Sequence, residues 1–516
     1  MKITKLLAAA LVSMAALSAC TMGDNGVNPD RLTGEATYAT FNFVVDGDGT
    51  RAEASPTDVG EKTEVKDIRL LIFKTGASTV CEVNDLYATG DADWDATKSS
   101  TVLLTSGEKR IFVIANSANQ TRINTALAAI TPGTTTLASF YAMIHELGGN
   151  SVASFSIAEI TDLTRGYVLS NPADKNALKS LVAGVTATDS RNATAGDETK
   201  NNFKFKVDRA AAKAYVYYKD NAALETSDGV GMLQSTTIKY GFRNVNRSVH
   251  LFQQFATDNV DAYDIAGRPL PRAPYFTYFE DNYTEDQMKN LAVFSPYYFS
   301  DYLLDQSMKT KAQVDATTPA SVYLTENTSV MPRRGNSTYA AIEAYFMPKA
   351  NQVIVGTSLG FDDVNKKFTN IERNTADATS PVTLYMLTDN GGIENMLPGA
   401  LFFDLELAKK AAFAVQNKTL TGYTTAYDPG SLIETFTGGK CYYRLNIGRT
   451  LGADDTEWGL RRNYLYKAQI TKFGSIGASD ISKLDENPEQ PLGQKTHVTA
   501  VIEVQAWTEV DFSGEV

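Results

Sequence analysis

The chain has 516 residues, 43% of them hydrophobic, which is enough for two or three domains with packed cores and excludes a disordered polypeptide. Its formal net charge is -12 at pH 7. This acidic balance argues against nucleic acid as a partner, because phosphate binding requires a basic face.

The chain begins with the pattern of an exported bacterial lipoprotein. Lys2 and Lys5 precede an apolar run over 6–17, which leads through small residues to Cys20. This order is typical of a secretory signal that is removed ahead of a lipidated cysteine. The run is too short to span a bilayer as a helix. We therefore predict a signal peptide over 1–20, lipidation at Cys20 and a transient membrane lipid anchor.

The first predicted strand covers residues 36–45 and is followed by an Asp/Gly-rich loop that contains Arg51 and Ala52. Alternate residues of the strand share one face: Ala39, Phe41, Phe43 and Val45. The loop is a good protease substrate, because cleavage needs locally extended backbone. An ordinary hairpin turn explains the same residues equally well.

The middle of the chain alternates in short segments. Strands are predicted at 68–73, 109–116, 236–242, 338–346, 353–357, 441–447 and 464–473. Helical pieces are predicted within 122–147, and an aromatic insertion with short helices at 263–304. Residues 203–218 read as the last strand pair of a first domain, with a polar boundary at 221–231. Many short strands with turn signals predict β-sandwiches rather than a doubly wound α/β sheet.

An acidic linker at 480–494 leads to a long alternating strand at 497–512. One face of this strand carries Val498, Ala500, Ile502, Val504 and Ala506, and Trp507 lies on the other face. A terminal strand behind a linker can complete its own sheet or add to the edge of another molecule. The residues alone leave both possibilities open.

Catalytic signals are weak, and the sequence predicts a protein that is not an enzyme and has no cofactor and no metal site. The chain has three histidines, and His145-Glu146 lacks the second histidine of a zinc-protease helix, because Gly149 takes that place. Residues 356–360 (GTSLG) match the spacing of a nucleophile elbow, but the residues that follow read as a turn and not as the required helix. We interpret this segment as a hairpin turn.

Two cysteines remain besides Cys20. We interpret Cys81 and Cys441 as buried free thiols, with a single disulfide between them as the alternative.

Five segments, in order along the chain, resemble the fimbrillin family of Bacteroidales. They are SGEK at 106–109 leading into IFVIAN, VDRAAAKA at 207–214, RGNSTY at 334–339, RRNYLY at 461–466 leading into ITKFGSIG, and IEVQAW at 502–507. Together with the lipoprotein signal they resemble most the stalk subunit of the short (minor) fimbria.

This resemblance implies two tandem transthyretin-like (Greek-key) β-sandwich domains, at 52–225 and 226–478. Residues 21–51 would be a propeptide, and 479–516 a linker with a donor strand. An arginine-specific protease would cut between Arg51 and Ala52 and remove the strand that carries Phe41, Phe43 and Val45. The C-terminal strand of another copy would then fill the opened groove, so that subunits join head to tail.

The same resemblance implies partners and a location. The partners would be further copies of the chain, the tip and anchor subunits of the fimbria, and ligands on host or bacterial surfaces. The mature protein would lie on the cell surface, where the fimbria supports adhesion and biofilm formation. Two alternatives remain open, namely a tip or accessory adhesin and a surface glycan-binding lipoprotein. Glycan-binding lipoproteins of this kind are mainly helical and rich in tryptophan, whereas this chain has three tryptophans.

Overall fold

The structure is a computed structural model. It describes residues 35–45, 65–76, 78–91, 98–99, 101–140, 160–161, 167–172, 177–246, 251–255, 271–272, 299–300, 305–317, 322–329, 334–335, 337–447, 449–450, 458–486, 492 and 498–506.

The first strands and helices follow one another closely. The strands are β1 (Ala36–Val45), β2 (Asp67–Lys74), β3 (Cys81–Ala88), β4 (Val102–Thr105), β5 (Gly107–Ala115), β6 (Leu169–Ser170), β7 (Leu178–Leu181) and β8 (Asn202–Arg209). Helices α1 (Thr121–Ala128) and α2 (Ala187–Asn192) lie among them.

The later strands are more numerous and mostly short. They are β9 (Ala212–Tyr218), β10 (Gly231–Leu233), β11 (Lys239–Arg243), β12 (Val245–Asn246), β13 (Gln254–Phe255), β14 (Pro271–Arg272), β15 (Phe299–Ser300), β16 (Gln306–Ser307), β17 (Lys309–Thr310), β18 (Val322–Leu324), β19 (Asn327–Ser329), β20 (Tyr339–Pro348), β21 (Val353–Val355), β22 (Gly360–Asp362), β23 (Lys367–Thr369), β24 (Glu372–Arg373), β25 (Leu384–Leu387), β26 (Ala400–Phe402), β27 (Ile433–Phe436), β28 (Lys440–Asn446), β29 (Arg449–Thr450), β30 (Trp458–Leu460), β31 (Tyr464–Phe473) and β32 (Val498–Ala506). Helices α3 (Lys311–Ala316) and α4 (Leu405–Asn417) belong to this part.

Contacts divide the chain into two compact units. The first comprises 1–44, 66–140 and 175–205, and the second comprises 45–65, 141–174 and 206–516. In the first unit, β2 pairs antiparallel with β3 and β5, and β7 pairs with β5. Strand β2 is buried on both of its faces, and the core around it is rich in Ile, Leu and Phe. The rings of Phe73, Phe112 and Phe140 pack together with centroids 4.8–6.0 Å apart.

The second unit contains a sandwich of two sheets around one apolar core. In one sheet β20 pairs antiparallel with β11 and β28. In the other, β31 pairs parallel with β9 and antiparallel with β32. Alternate residues of β20 point into the core, which is what the period of a strand requires. These residues are Ala340, Ile342, Ala344 and Phe346.

A lobe of mixed structure is inserted between β20 and β28, which are neighbours in the sheet. Strands β24-β21-β26-β25-β27 form its sheet, and α4 packs on that sheet through Leu407, Ala408 and Ala411. The Asp404 side chain caps the start of α4 by accepting a hydrogen bond of 2.8 Å from the Leu407 N–H. The helix ends at Lys418, which has a left-handed φ of 57°. Sequence alternation did not predict this helix.

The sequence predictions on fold class are confirmed, since the chain is mainly β and forms sandwiches. Strands β1 and β31 have the predicted limits. One prediction differs, because 203–218 does form two strands but β9 packs into the core of the second unit. Local alternation defines a strand and carries no information on which sheet receives it. The domain limits 52–225 and 226–478 stay predictions, and the insertion at 263–304 lies almost wholly outside the described residues.

Among the residues described, no helix is long and apolar enough to cross a membrane.

Candidate functional site

Strand β1 lies inside its sheet and not at an edge, with β4 on one side and β8 on the other. It pairs antiparallel with β4 from Ala36, opposite Thr105, to Ala39, opposite Val102. Further along, the Phe41 carbonyl accepts a hydrogen bond of 2.8 Å from the Ser99 N–H. On the other side the Thr40 N–H donates to the Asn201 carbonyl at 2.9 Å. The backbone of β1 is therefore hydrogen-bonded along both of its edges.

The apolar face of β1 is buried in the core of the first unit. Ala39 and Phe41 are fully buried, and Phe43 is 6% exposed. The Phe41 ring stacks on Phe203 of β8 with centroids 5.9 Å apart and contacts Phe205 at 6.2 Å. Burying a side chain of this size contributes on the order of 2–3 kcal/mol. Removal of β1 would leave an apolar groove lined by the partners of these residues.

A cluster of buried polar groups holds the first half of β1. The Thr37 hydroxyl donates to the Val182 carbonyl at 2.7 Å and accepts hydrogen bonds from Asn201 Nδ2 at 2.9 Å and the Val185 N–H at 3.1 Å. Ser190 Oγ donates to Thr40 Oγ1 at 3.0 Å. Loss of β1 would remove the partners that Thr37 and Thr40 supply, whereas Asn201 Nδ2 would keep the Val182 carbonyl and Ser190 Oγ would keep the Asn201 carbonyl. Each buried polar group left without a partner would cost about 1–3 kcal/mol.

Asn201 is the centre of this cluster and is fully buried. Its Nδ2 also donates to the carbonyls of Tyr38 and Val182, and its Oδ1 accepts from the Val182 N–H at 2.7 Å. The backbone of Asn201 has a φ of 51°, in the left-handed region that asparagine tolerates better than other non-glycine residues. Sequence reasoning missed Thr37, Ser190 and Asn201. The polar turn ending in Asn201 ahead of an alternating strand was the available signal.

The C-terminal strand β32 has a different position. It pairs antiparallel with β31 from Val498, opposite Phe473, to Ala506, opposite Tyr464, with one irregularity between Ile470 and Lys472. In the order β17-β9-β31-β32 it lies at the edge of its sheet, with one neighbouring strand among the described residues. Ala500 packs against the core of the second unit. Strand β32 can therefore leave its sheet by breaking one ladder of hydrogen bonds, whereas β1 is held by two.

The predicted site residues can be placed as follows. Phe41 and Phe43 lie on the buried face of β1, and Val45 is its last residue. The five alternate donor residues Val498, Ala500, Ile502, Val504 and Ala506 lie on β32. Cys20, Arg51, Ala52 and Trp507 lie outside the described residues.

The segments tested for catalysis carry no constellation in the described part of the chain. Ser358 lies before a hairpin of β22 and β23 in which Gly360 pairs with Thr369, so the turn lies between Asp362 and Lys367 and not at 356–360. The prediction that a turn and not a helix follows this segment is confirmed. The Ser358 hydroxyl donates to Glu372 Oε1 at 3.1 Å on the surface. All three histidines fall outside the described residues. Within the described ranges no group of three or more His, Cys, Asp or Glu side chains could hold a metal ion.

Both remaining cysteines are buried free thiols. Burial raises the pKa of Cys81 to about 12 and that of Cys441 to about 11. A thiol with so high a pKa is almost wholly protonated at neutral pH and is therefore a poor nucleophile.

Two family models match the sequence. Residues 39–229 match "Major fimbrial subunit protein (FimA)", and residues 434–512 match "Major fimbrial subunit protein type IV, Fimbrillin, C-terminal". The first match includes most of β1 and the second includes β32. No curated protein matches the sequence significantly.

Several solved structures resemble the fold at low identity. A predicted cell adhesion protein of Parabacteroides distasonis has a TM-score of 0.43 and 14% identity, covering 92% of this chain and 99% of its own. A fimbrilin of Porphyromonas gingivalis W83 has a TM-score of 0.39 and 11% identity, covering 92% and 99%. The tip fimbrial protein Mfa3 of Porphyromonas gingivalis, with a C-terminal truncation, has a TM-score of 0.34 and 13% identity, covering 90% and 99%. These similarities are too distant to support a functional argument.

The family models therefore carry the assignment, and they match both strands on which the candidate site depends. Members of this family are structural subunits of fimbriae, exported to the cell surface. The chain belongs to the fimbrillin family of fimbrial subunits.

Proposed function

We propose that this fimbrial subunit forms the fimbrial stalk and polymerises by donor-strand exchange, in which β32 of one copy replaces β1 of the next. The observation that carries the proposal is the contrast between the two strands. Strand β1 lies inside its sheet with a buried apolar face, whereas β32 lies at an edge as far as the described residues show their pairing. Loss of an interior strand opens a groove that another strand can fill, and an edge strand is the one most easily given up.

Hydrogen bonding and burial both favour the exchange. A strand that moves from an edge into the groove exchanges one ladder of hydrogen bonds for two. Each additional hydrogen bond contributes about 0.5–1.5 kcal/mol net. The alternating apolar residues of β32 would also replace the buried face of β1, at roughly 25 cal/mol per Å² of apolar area. Because the donor and the groove are different surfaces of the chain, the contact is head to tail, and we propose that it repeats without closing into a ring and so builds a filament.

We further propose that proteolysis triggers the exchange. The precursor would be anchored to the outer membrane through a lipidated Cys20, and an arginine-specific protease would cut between Arg51 and Ala52. That position lies beyond the end of β1, so the cut would separate β1 from the rest of the chain. The polymer would join tip and anchor subunits at its ends and present ligand-binding surfaces for adhesion.

The experiment uses purified precursor, a trypsin-like protease and electron microscopy. We expect a new N-terminus at Ala52, loss of the fragment that contains β1, and ladders of polymer on denaturant-free gels. The variant Arg51→Gln should stay uncut at this bond and monomeric under the same treatment.

A truncation before His497 separates acceptor from donor activity. Because β32 is an edge strand, this variant should fold, accept a donor after cleavage and cap growing chains, so that mixtures with the full chain give shorter polymers. Persistent monomers of the full chain after complete cleavage at Ala52 would argue for a non-polymerising tip or accessory adhesin. Unfolding of the truncated protein would show that β32 belongs permanently to its own sheet.

A further inference from the structure

The segment that precedes the C-terminal strand is held firmly on the second unit. After β31 the chain passes along the edge of β28 that faces away from β20, where Ala478 and Tyr442 exchange backbone hydrogen bonds of 2.8 Å, and then turns onto the outer face of that sheet. A short 3-10 helix, Ile481–Asp485, follows. Leu484 is 5% exposed and packs with Tyr339 and Ala341 on this face. Residues 480–486 of the acidic linker predicted from the sequence are therefore held on the second unit.

Three arginines converge on the end of this helix. Arg243 Nη1 lies 2.9 Å from Asp485 Oδ2, and Arg444 Nη1 lies 3.8 Å from Asp485 Oδ1. The Leu484 carbonyl accepts hydrogen bonds from Arg444 Nη1 at 3.1 Å and Arg334 Nη2 at 3.2 Å. Charge-assisted hydrogen bonds of this kind are about twice as strong as neutral ones.

Tyr339 contacts both Asp485 and Arg444. Its hydroxyl donates to Asp485 Oδ1 at 2.5 Å, and its ring lies 3.7 Å below the Arg444 guanidinium carbon. Tyr339 is fully buried and Arg444 is 5% exposed. The contact between Arg444 and the Tyr339 ring is screened from water and is therefore stronger than the same contact on the surface would be. The Asp485 side chain is 35% exposed, so solvent weakens its ion pairs with the arginines. We call Arg243, Arg334, Tyr339, Arg444, Leu484 and Asp485 the mooring cluster.

We propose that the mooring cluster is the anchor of the donor strand: it fixes the point from which the C-terminal segment leaves the subunit, and it stays closed in the polymer and transmits tension. This inference rests on the proposed function. A force applied through β32 reaches the chain at Asp485 before it reaches β31, so the cluster is the first structure to bear it. The donor is then tethered only by residues 487–497, which fully extended reach about 40 Å.

Hydrogen exchange distinguishes an anchor from a segment that is released on assembly. Amide exchange over residues 478–485 is measured in wild-type precursor and in protease-treated wild-type polymer. We expect protection in the polymer to agree with the precursor within about threefold. A loss of protection of about a hundredfold or more in the polymer would show that the segment is released together with the strand, and would overturn the inference.

A pair of variants tests the mechanical role. Asp485→Asn keeps an acceptor for Tyr339 but removes the charge that faces the arginines, and Asp485→Ala removes both. The control is Asp315→Ala, which breaks an exposed ion pair between Lys311 and Asp315 of 2.7 Å on α3. We expect the Asp485 variants to fold and still polymerise. Polymers of Asp485→Ala should have more variable axial repeats and a bending stiffness lower by about twofold or more, whereas polymers of Asp315→Ala should have the repeat and stiffness of the wild type.

The two proposals fail in different ways. Absence of wild-type polymer after cleavage would refute strand exchange and the anchor together. Wild-type polymer with unprotected residues 478–485, or Asp485 variants with wild-type stiffness and repeat, would refute the anchor alone. If Asp485→Ala does not fold, Asp485→Asn and the wild-type exchange measurement decide the question.

Discussion

The ring of Phe41 stacks on the ring of Phe203 with their planes 20° apart and their centroids separated by 5.9 Å. One ring belongs to the strand that we propose is removed, and the other stays on β8. The pair therefore reports on whether the groove is filled, since Phe203 loses its partner when β1 leaves. A donor strand must supply apolar volume at this position.

Replacement of Phe41 by alanine should destabilise the precursor. We expect the free energy of unfolding in urea to fall by about 3–5 kcal/mol, because a fully buried aromatic side chain is truncated and a cavity remains. Tyr38→Ala, on the half-buried opposite face of β1, is the control and should have a smaller effect. If residues 36–45 are lost on maturation, polymers made from either variant should match wild-type polymers in stability. Equal losses in the two precursors would contradict the burial argument.

Asn201 contributes both hydrogen bonds and an unusual backbone conformation. Asn201→Ala should lower the precursor's free energy of unfolding by about 3 kcal/mol, since it leaves the Val182 N–H without its side-chain acceptor, removes one of three hydrogen bonds of the Thr37 hydroxyl and forces alanine into a left-handed φ. Asn201→Gly removes the same hydrogen bonds but tolerates the φ of 51°. In chemical denaturation, the free energy of unfolding of Asn201→Gly should therefore be about 1 kcal/mol higher than that of Asn201→Ala. The reverse order would mean that the backbone conformation has no part in the effect.

The buried thiols make stability depend on alkaline pH. Burial raises the pKa of Cys81 to about 12 and that of Cys441 to about 11, whereas a thiol in an unfolded chain has a pKa of about 8.5. Above this lower pKa the unfolded state binds fewer protons than the folded state, so the free energy of unfolding falls as pH rises. The expected slope is about 1.4 kcal/mol per pH unit per thiol, between roughly pH 9 and 10.5.

The double variant Cys81→Ala/Cys441→Ala is the control for this titration. Urea unfolding at several pH values should give a shallower decline for the variant than for the wild type. In the native protein neither thiol should react with a disulfide reagent at about pH 8, where both remain protonated, and both should react after unfolding. Identical pH profiles, or rapid reaction of the native protein, would contradict the assigned burial.

Gly477 is a position where the backbone of the C-terminal segment approaches β28 closely. A Cβ atom there would lie 2.3 Å from the Tyr442 carbonyl oxygen, so Gly477→Ala must push the segment away from the strand. We expect a loss of about 1–3 kcal/mol in stability from this overpacking. Residues 478–485 should also exchange their amide hydrogens faster. Wild-type stability and exchange would show that the segment can shift without cost.

The ion pair between Glu326 and Arg462 is almost completely buried, with both side chains 1% exposed and Arg462 Nε 3.2 Å from Glu326 Oε2. Glu326 Oε1 also accepts a hydrogen bond of 2.6 Å from Gln253. Glu326→Ala should cost about 3–5 kcal/mol, since it leaves a buried guanidinium without its counter-charge. Asp315→Ala, which breaks an exposed pair, should cost less than about 1 kcal/mol. Thermal and urea unfolding measure both, and similar losses would contradict the role of burial.

Period-two alternation along the chain is sufficient to define several strands and their limits. The pattern ATYATFNFVV defines β1 over Ala36–Val45, and YLYKAQITKF defines β31 over Tyr464–Phe473, because every second side chain must meet the core. The same reasoning did not find α4, whose buried face is made largely of alanines with little contrast to their neighbours. It also did not show that residues 349–439 form a lobe between paired strands.

By itself the sequence determined the export pattern, the strand-rich fold class, the alternating faces of β1 and β32, and the family resemblance. These features depend on residues that are close together in the sequence, such as the alternation of a strand or the order of residues in an export signal. Only the tertiary structure decided that β1 lies between two neighbours, that β32 has one neighbouring strand in the described part of the chain, and that Asn201 and Asp485 hold the segments concerned. Those relationships join residues far apart in the chain, and long-range pairing depends on which surfaces pack together and not on any local pattern.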